Sequence, residues 1–301
     1  MTIRASAEGT AYLLDDSFTP PRVVGIRQAD GTEHYYSFST TQPQSNYPAS
    51  ALTANKGQLF GMTLANGTDA TNDFDVAAGV CSDSTGVRLL VGGAMTKQLD
   101  AAWAAGTNAG GRLSAAAIAN TTYFVFAILK DSDGSVDYGF DVSPTAPTMP
   151  SGYTYFRRIG IAWRVGGTLL AFKQRGDYFE LSVQKTLVAA TNPGTSRVQA
   201  PANGPTGLVL PCRASAALSD ATPDAATAVL ITASDQPDTA PGGGNFSLYT
   251  QATGATAPTR VSGQYDIVLD VAGQFYYRFS QSTPDHRIDI LMDGWIDTRG
   301  Q

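Results

Sequence analysis

Apolar and polar residues alternate with a period of two along much of the chain, the pattern of β-strands with one buried face. The strongest run, TTYFVFAILKD at 121–131, departs from it in an informative way. Tyr123, Val125, Ala127 and Leu129 share one face of this strand, while Phe124, Phe126 and Ile128 share the other. Both faces are apolar, so the pattern predicts a strand covered on both sides, by a second sheet and by a helix or a neighbouring subunit. Asp133-Gly134 then predicts a hairpin into SVDYGFDV. Beyond Pro147, Pro150 and the Ser151-Gly152 turn, Tyr155, Arg157, Ile159, Ile161 and Trp163 fall on one strand face. Phe156, Arg158, Gly160, Ala162 and Arg164 fall on the other. Gly166-Gly167 reads as a hairpin connection, after which Leu170 and Phe172 continue the core face, and Arg175-Gly176-Asp177 sits at the next turn.

The stretch 190–207, crowded with Asn, Pro and Gly, reads as connection or strand-edge material. A second β-unit follows, with strands at TAVLIT (227–232), at YDIVLD with Tyr265, Ile267 and Leu269 inward, and at QFYYRFS with Phe275, Tyr277 and Phe279 inward. Ile288, Ile290 and Met292 repeat the alternation, and 233–246 reads as a long loop. One segment carries helix signals: in TKQLDAAWAAG, Thr96 caps, Leu99 and Trp103 lie four apart, and Gly106 terminates. Near the N-terminus, RVVGIRQADGTEHYYSF predicts two short strands around Ala29-Asp30-Gly31. The expected fold is all-β: two β-sandwich-like units with one short helix and an N-terminal arm. The arm covers 1–50, a body domain 51–185 and a C-terminal domain 186–301.

Composition narrows the chemistry. With 13 Tyr, 13 Phe and 3 Trp among 301 residues and only 15% charged residues, the chain has bulk for burial and little surface charge. A net charge of −6 without clustered Lys or Arg argues against nucleic acid and against an anionic membrane surface. MTIRASAEGTAYLLDDSFTPP lacks the apolar run of a signal peptide, and no stretch is long enough to span a bilayer, so cytoplasmic synthesis without membrane insertion is expected. Cys81 and Cys212 form no metal-ligand spacing. His34 and His286 lie in no pattern with a nucleophile, so no catalytic residue is assigned; a triad assembled in space and paired carboxylates stay open. Two acidic clusters, Asp69/Asn72/Asp73/Asp75 and Asp131/Asp133/Asp137, lack EF-hand spacing and read as turn chemistry; no metal or cofactor is expected. Arg157 and Arg158 point to opposite faces by alternation, which argues against a joint clamp, with one an exposed charge and the other free to pair with an acid. The RGD tripeptide reads as a hairpin turn.

Four runs carry a resemblance: LFGMTLANGTDATNDFDVAAG, MTKQLDAAWAAGTNAGG, NTTYFVFAILKDSDGSVDYGFDVS and PTMPSGYTYFRRIGIAW, spanning roughly 57–180. Together they resemble a segment of structural proteins of tailed bacteriophages, namely tail-fibre, baseplate-associated or other appendage proteins. The ending FYYRFS…DGWIDTRG is similar to C-terminal units of the same group. The resemblance implies an all-β homotrimer in the virion tail that contributes to host attachment. Its partners would be sister copies, other tail or baseplate proteins, and a host polysaccharide or protein receptor. It carries over no catalytic residue. Receptor contact would fall on loops such as 233–246 and 281–286, with Tyr249 and Trp295 as candidates for stacking on sugar rings. The alternatives are a purely structural baseplate, neck or head-decoration protein, and a polysaccharide depolymerase.

Overall fold

The computed structural model describes residues 57–221, 226–242, 244–251 and 258–299, together with the backbone of four strands nearer the N-terminus. The chain divides into two compact units, Met1–Thr53 and Ala54–Gln301. In the first, β1 (Thr2–Ala5), β2 (Ala11–Asp15), β3 (Arg22–Arg27) and β4 (Glu33–Tyr35) pair in sequence order, all antiparallel. The strands expected on either side of Ala29-Asp30-Gly31 are β3 and β4; the turn itself lies outside the described residues.

The second unit opens with β5 (Leu59–Gly61), β6 (Leu64–Asn66), β7 (Asp73–Val76), β8 (Gly79–Ser82) and β9 (Leu89–Gly92). Next come β10 (Met95–Ala102), β11 (Ala109–Arg112), β12 (Thr122–Lys130), β13 (Val136–Asp141), β14 (Tyr153–Val165) and β15 (Thr168–Leu169). Then follow β16 (Phe172–Arg175), β17 (Tyr178–Thr191), β18 (Val198–Gln199), β19 (Leu210–Asp220) and β20 (Thr227–Thr232). The last are β21 (Leu248–Thr250), β22 (Thr259–Leu269), β23 (Tyr276–Phe279) and β24 (His286–Ile296).

Eight strands in the order β15-β14-β12-β13-β11-β10-β7-β6 form a nearly closed, barrel-like sheet. Across its gap, Leu169 N donates to Thr71 O at 3.1 Å and Phe172 N to the Asn66 side-chain oxygen at 3.2 Å. A short sheet β5-β8-β9 lies beside it in sequence. The C-terminal half holds a five-stranded sheet, β16-β17-β24-β19-β22, and a four-stranded one, β18-β23-β20-β21. The inward residues expected there are buried: Ile267, Leu269, Phe275, Tyr277, Phe279, Ile288, Ile290 and Met292. Tyr265 is only half-buried, its hydroxyl donating to Ser247 O at 2.7 Å.

The described residues contain no helix, and the segment expected to be one is β10. It pairs antiparallel with β7 and parallel with β11. A spacing of four, as between Leu99 and Trp103, returns to the same face at a period of two as well as at 3.6. Lys97 decides between them: it and Leu99 are both fully buried, two apart, as a strand requires. Lys97 Nζ contacts the Asp137 carboxylate at 2.9 Å and donates to Ala104 O at 2.7 Å. Partners distant in sequence thus outweigh the local helix preference of the alanines.

As its pattern required, β12 is buried from Thr122 to Leu129. The cover comes from the same chain, not from a helix, and no sister copy is needed to hide it. Leu113 fills the space above Gly139, Thr206 N donates to Thr122 Oγ1 at 2.7 Å, and Gly207 abuts Phe124. A second correction concerns β14. Between its pairings of Gly160 with Val125 and Arg158 with Phe126 the register shifts, leaving Ile159 as an extra residue. This bulge reverses the alternation, so Tyr155 and Arg157 do not share a face with Ile161 and Trp163.

The boundary expected at 185/186 falls inside β17. An aromatic seam crosses it. Phe140 meets Phe74 edge-on at 5.9 Å, Phe74 meets Phe172 at 5.6 Å, Phe172 meets Phe179 at 5.4 Å, and Phe179 stacks on Trp295 at 5.4 Å. Trp163 closes on Trp295 at 6.3 Å. Barrel and C-terminal sheets therefore share one hydrophobic core.

At the centre of that junction β24 comes close to the β17 backbone. A Cβ on Gly294 would lie 2.2 Å from Phe179 O and 3.0 Å from Glu180 Cα. Gly294→Ala is expected to cost about 1–3 kcal/mol by forcing the strands apart. Thermal denaturation followed by circular dichroism should show a melting point several degrees lower. Gly93→Ala, whose added Cβ meets nothing within 4 Å, should leave it unchanged.

Candidate functional site

Just before the bulge in β14 lies a chemically dense junction. Arg157 and Arg158 sit opposite the consecutive residues Ala127 and Phe126 and so leave the strand on opposite faces, yet their long side chains reach the same short segment. Arg158 Nη1 donates to both carboxylate oxygens of Asp297, at 2.6 and 2.7 Å. Arg157 Nε donates to Arg299 O at 3.1 Å. Neither is an exposed charge: Arg157 is 2% exposed, and the Arg158 side chain 11%.

The segment that they hold, Asp297 to Arg299, is itself folded into the RGD hairpin. Asp297 N donates to Asp177 O at 2.9 Å, and Arg299 Nε and Nη2 both reach Asp177 Oδ1 at 3.0 Å. Gly176, at φ +63°, supplies the positive φ of a tight turn, and Arg175 pairs with Glu180 at 2.8 Å. Both charges of the tripeptide are thus engaged within the chain.

Beside this junction lies a cleft of about 530 Å³, within the usual range for small-molecule sites. Phe126, Phe156, Pro144 and the 208–211 stretch make its walls mostly apolar. Arg157, Arg158 and Asp297 supply its charges. Arg157 Nη2 is buried and has no hydrogen-bond partner among the described residues. Sequence reasoning marked the arginine pair but missed the cleft, because the segment that both arginines hold, Asp297 to Arg299, lies far along the chain and leaves no local signal.

The other candidates are dispersed. Trp295 is fully buried and stacked on Phe179, so its ring is core and presents no surface to a sugar. Tyr249 is 39% exposed and lies 5.4 Å from Phe246, itself 42% exposed, ring to ring. Phe246 ends the 233–246 loop and Tyr249 lies three residues beyond it; Arg278 ties that loop to the sheet through Asp238 at 2.7 Å. In the 281–286 loop, His286 is wholly enclosed. Its Nε2 lies 2.8 Å from Thr227 Oγ1 and 3.3 Å from Asp220 Oδ2. A catalytic relay needs acid and hydroxyl on opposite ring nitrogens and an oxygen that substrate can reach. Here all three groups are fully buried, and they clasp β19, β20 and β24 together. The acidic clusters serve turns: Asp69 accepts Thr71 N at 3.0 Å, and Asp133 accepts Ser135 N at 2.9 Å and Lys130 Nζ at 2.9 Å. Among the described residues no group of three or more His, Cys, Asp or Glu side chains converges as a metal site. Cys81 and Cys212 are both free and buried.

Compared with known proteins, the chain matches no protein-family model and no curated sequence.

Asp297→Ala strands a buried guanidinium and should cost about 3–5 kcal/mol in urea unfolding, whereas Asp177→Ala, at a partly exposed pair, should cost no more than about 1 kcal/mol. Burial pushes the thiols of Cys81 and Cys212 up to about 12. At pH 8 a thiol reagent should therefore leave the native protein unlabelled and modify both cysteines after denaturation. Unfolded thiols ionise near pH ~8.5 while the folded ones keep their protons, so raising the pH above that value favours the unfolded state and stability should fall.

Proposed function

We propose that the chain is a structural component of a phage tail, in a tail fibre or as a baseplate receptor-binding protein, that contributes to host-cell attachment by binding rather than catalysis. In this reading it assembles as a homotrimer alongside other tail or baseplate proteins. The exposed Phe246–Tyr249 pair carries the reading. It stands at the end of a long loop, on a sheet whose core is fully packed, which is how binding surfaces are presented without disturbing a scaffold. Exposed ring faces of this kind suit the apolar face of a sugar. The titratable groups of the cleft support binding over turnover, since Asp297 is held by Arg158 and by Arg299 N at 2.8 Å.

Antibodies raised against the chain should label the tail tip and block adsorption of the particle to its host. A Phe246→Ala/Tyr249→Ala double variant should bind host cells about tenfold more weakly with an unchanged melting point. Labelling confined to the head or collar would overturn attachment and make the chain a decoration or neck protein. Shortening of host polysaccharide by the purified protein would overturn the binding-only role and make it a depolymerase.

A further inference from the structure

We infer that the cleft beside the arginine pair binds a small organic carboxylate, its anionic group on Arg157 and its apolar or ring-shaped body against Phe126, Phe156 and Leu208. The guanidinium of Arg157 is buried beside the cleft without a full set of partners. A buried charge is tolerated when it is paired and hydrogen-bonded. Arg157 is 2% exposed, and its Nη2 has no partner among the described residues.

The acids nearby spend their hydrogen bonds elsewhere, and of them Asp83 acts on Arg157 only through its charge. Asp297 has both oxygens on Arg158. Asp83 accepts the backbone N–H groups of Thr85, Val87 and Arg88 at 2.9, 2.7 and 2.6 Å. Asp177 is bonded to Arg299. The Cys81 thiol, pushed up to about 12 by its burial, stays neutral and offers no counter-charge. Burial, and after it the like charges of Arg158 and Arg299, pull the Arg157 pKa down against the opposing charge of Asp83, so its charge is only partly compensated. An arginine in a protein does not relieve that pressure by losing its proton. An oxyanion does relieve it, and the planar guanidinium matches a carboxylate in shape and hydrogen-bonding direction.

The walls set the rest of the ligand. Phe126 and Phe156 meet edge-on at 5.7 Å, and the 208–211 stretch faces the same space. A bare inorganic ion would leave most of this apolar surface unused. The site is separate from the Phe246–Tyr249 pair, and the inference stands whether or not that pair contacts a receptor.

The test is calorimetric titration of the full chain with phenylacetate, 2-phenylethanol, glucuronate and inorganic phosphate. Phenylacetate should bind saturably at one site, at least tenfold more tightly than 2-phenylethanol, which has the same ring and no charge. Phosphate should bind more weakly than phenylacetate. Glucuronate matching phenylacetate would identify an acidic saccharide as the source of the carboxylate; phenylacetate binding alone would identify a free aromatic acid, and either supports the site. Arg157→Gln should abolish the preference for the charged ligand. Because that change touches the core, Thr145→Trp serves as a second variant: Thr145 is an exposed loop residue on the rim, and the indole should block binding while leaving the melting point unchanged. The inference is overturned if phenylacetate and glucuronate both fail to bind, if 2-phenylethanol binds as tightly as phenylacetate, or if Thr145→Trp leaves binding intact.

Discussion

The aromatic seam from Phe140 through Phe74, Phe172 and Phe179 to Trp295 and Trp163 is the contact on which the rest of the second unit depends. Each pair in it is worth about 0.5–1.5 kcal/mol beyond the area that it buries. Its larger effect is geometric. The rings come from β7, β13 and β14 of the barrel-like sheet and from β16, β17 and β24 of the five-stranded sheet, so neither can shift without unpacking the other. The position of the Asp297–Arg299 segment over β14 follows from this, because β24 is anchored by Trp295 two residues before Asp297. The cleft exists where that anchored end passes the bulge.

Polar contacts buried in the same unit add direction to this packing. Lys97 with Asp137, Arg158 with Asp297, and the Thr227–His286–Asp220 clasp each join strands far apart in sequence. A hydrophobic core tolerates small slides of one sheet over another, whereas a buried ion pair with fixed partners does not. Specific register is therefore set by a few charged residues embedded in an otherwise apolar interior.

Much of the strand pattern was legible in the sequence for a physical reason: alternation is a strong signal when turns are marked by Gly and Asp, as at Asp133-Gly134 and Gly166-Gly167. Both glycines of the second turn have positive φ. Where the reading failed, the deciding interaction was remote. Leu99 and Trp103 fit either period, and only the pairing of β10 with β7 and β11 selects a strand. The extra residue at Ile159 has no local signature, and the shared hold of Arg157 and Arg158 on Asp297–Arg299 depends on a segment far along the chain. Trp295 looked like a rim aromatic because its stacking partner, Phe179, lies more than a hundred residues earlier. The clasp around His286 draws on positions 220, 227 and 286, a constellation that no linear motif encodes.

The order of strands in the five-stranded sheet has a consequence for synthesis. β24, although late in the chain, lies at the middle of that sheet, between β17 and β19. During translation, β17 and β19 emerge with their shared edge open and no neighbour to occupy it until residues near 296 have left the ribosome. At a typical elongation rate of about 5–20 residues per second, that open interval lasts several seconds, and the exposed strand edges are then the nascent polypeptide's most aggregation-prone feature.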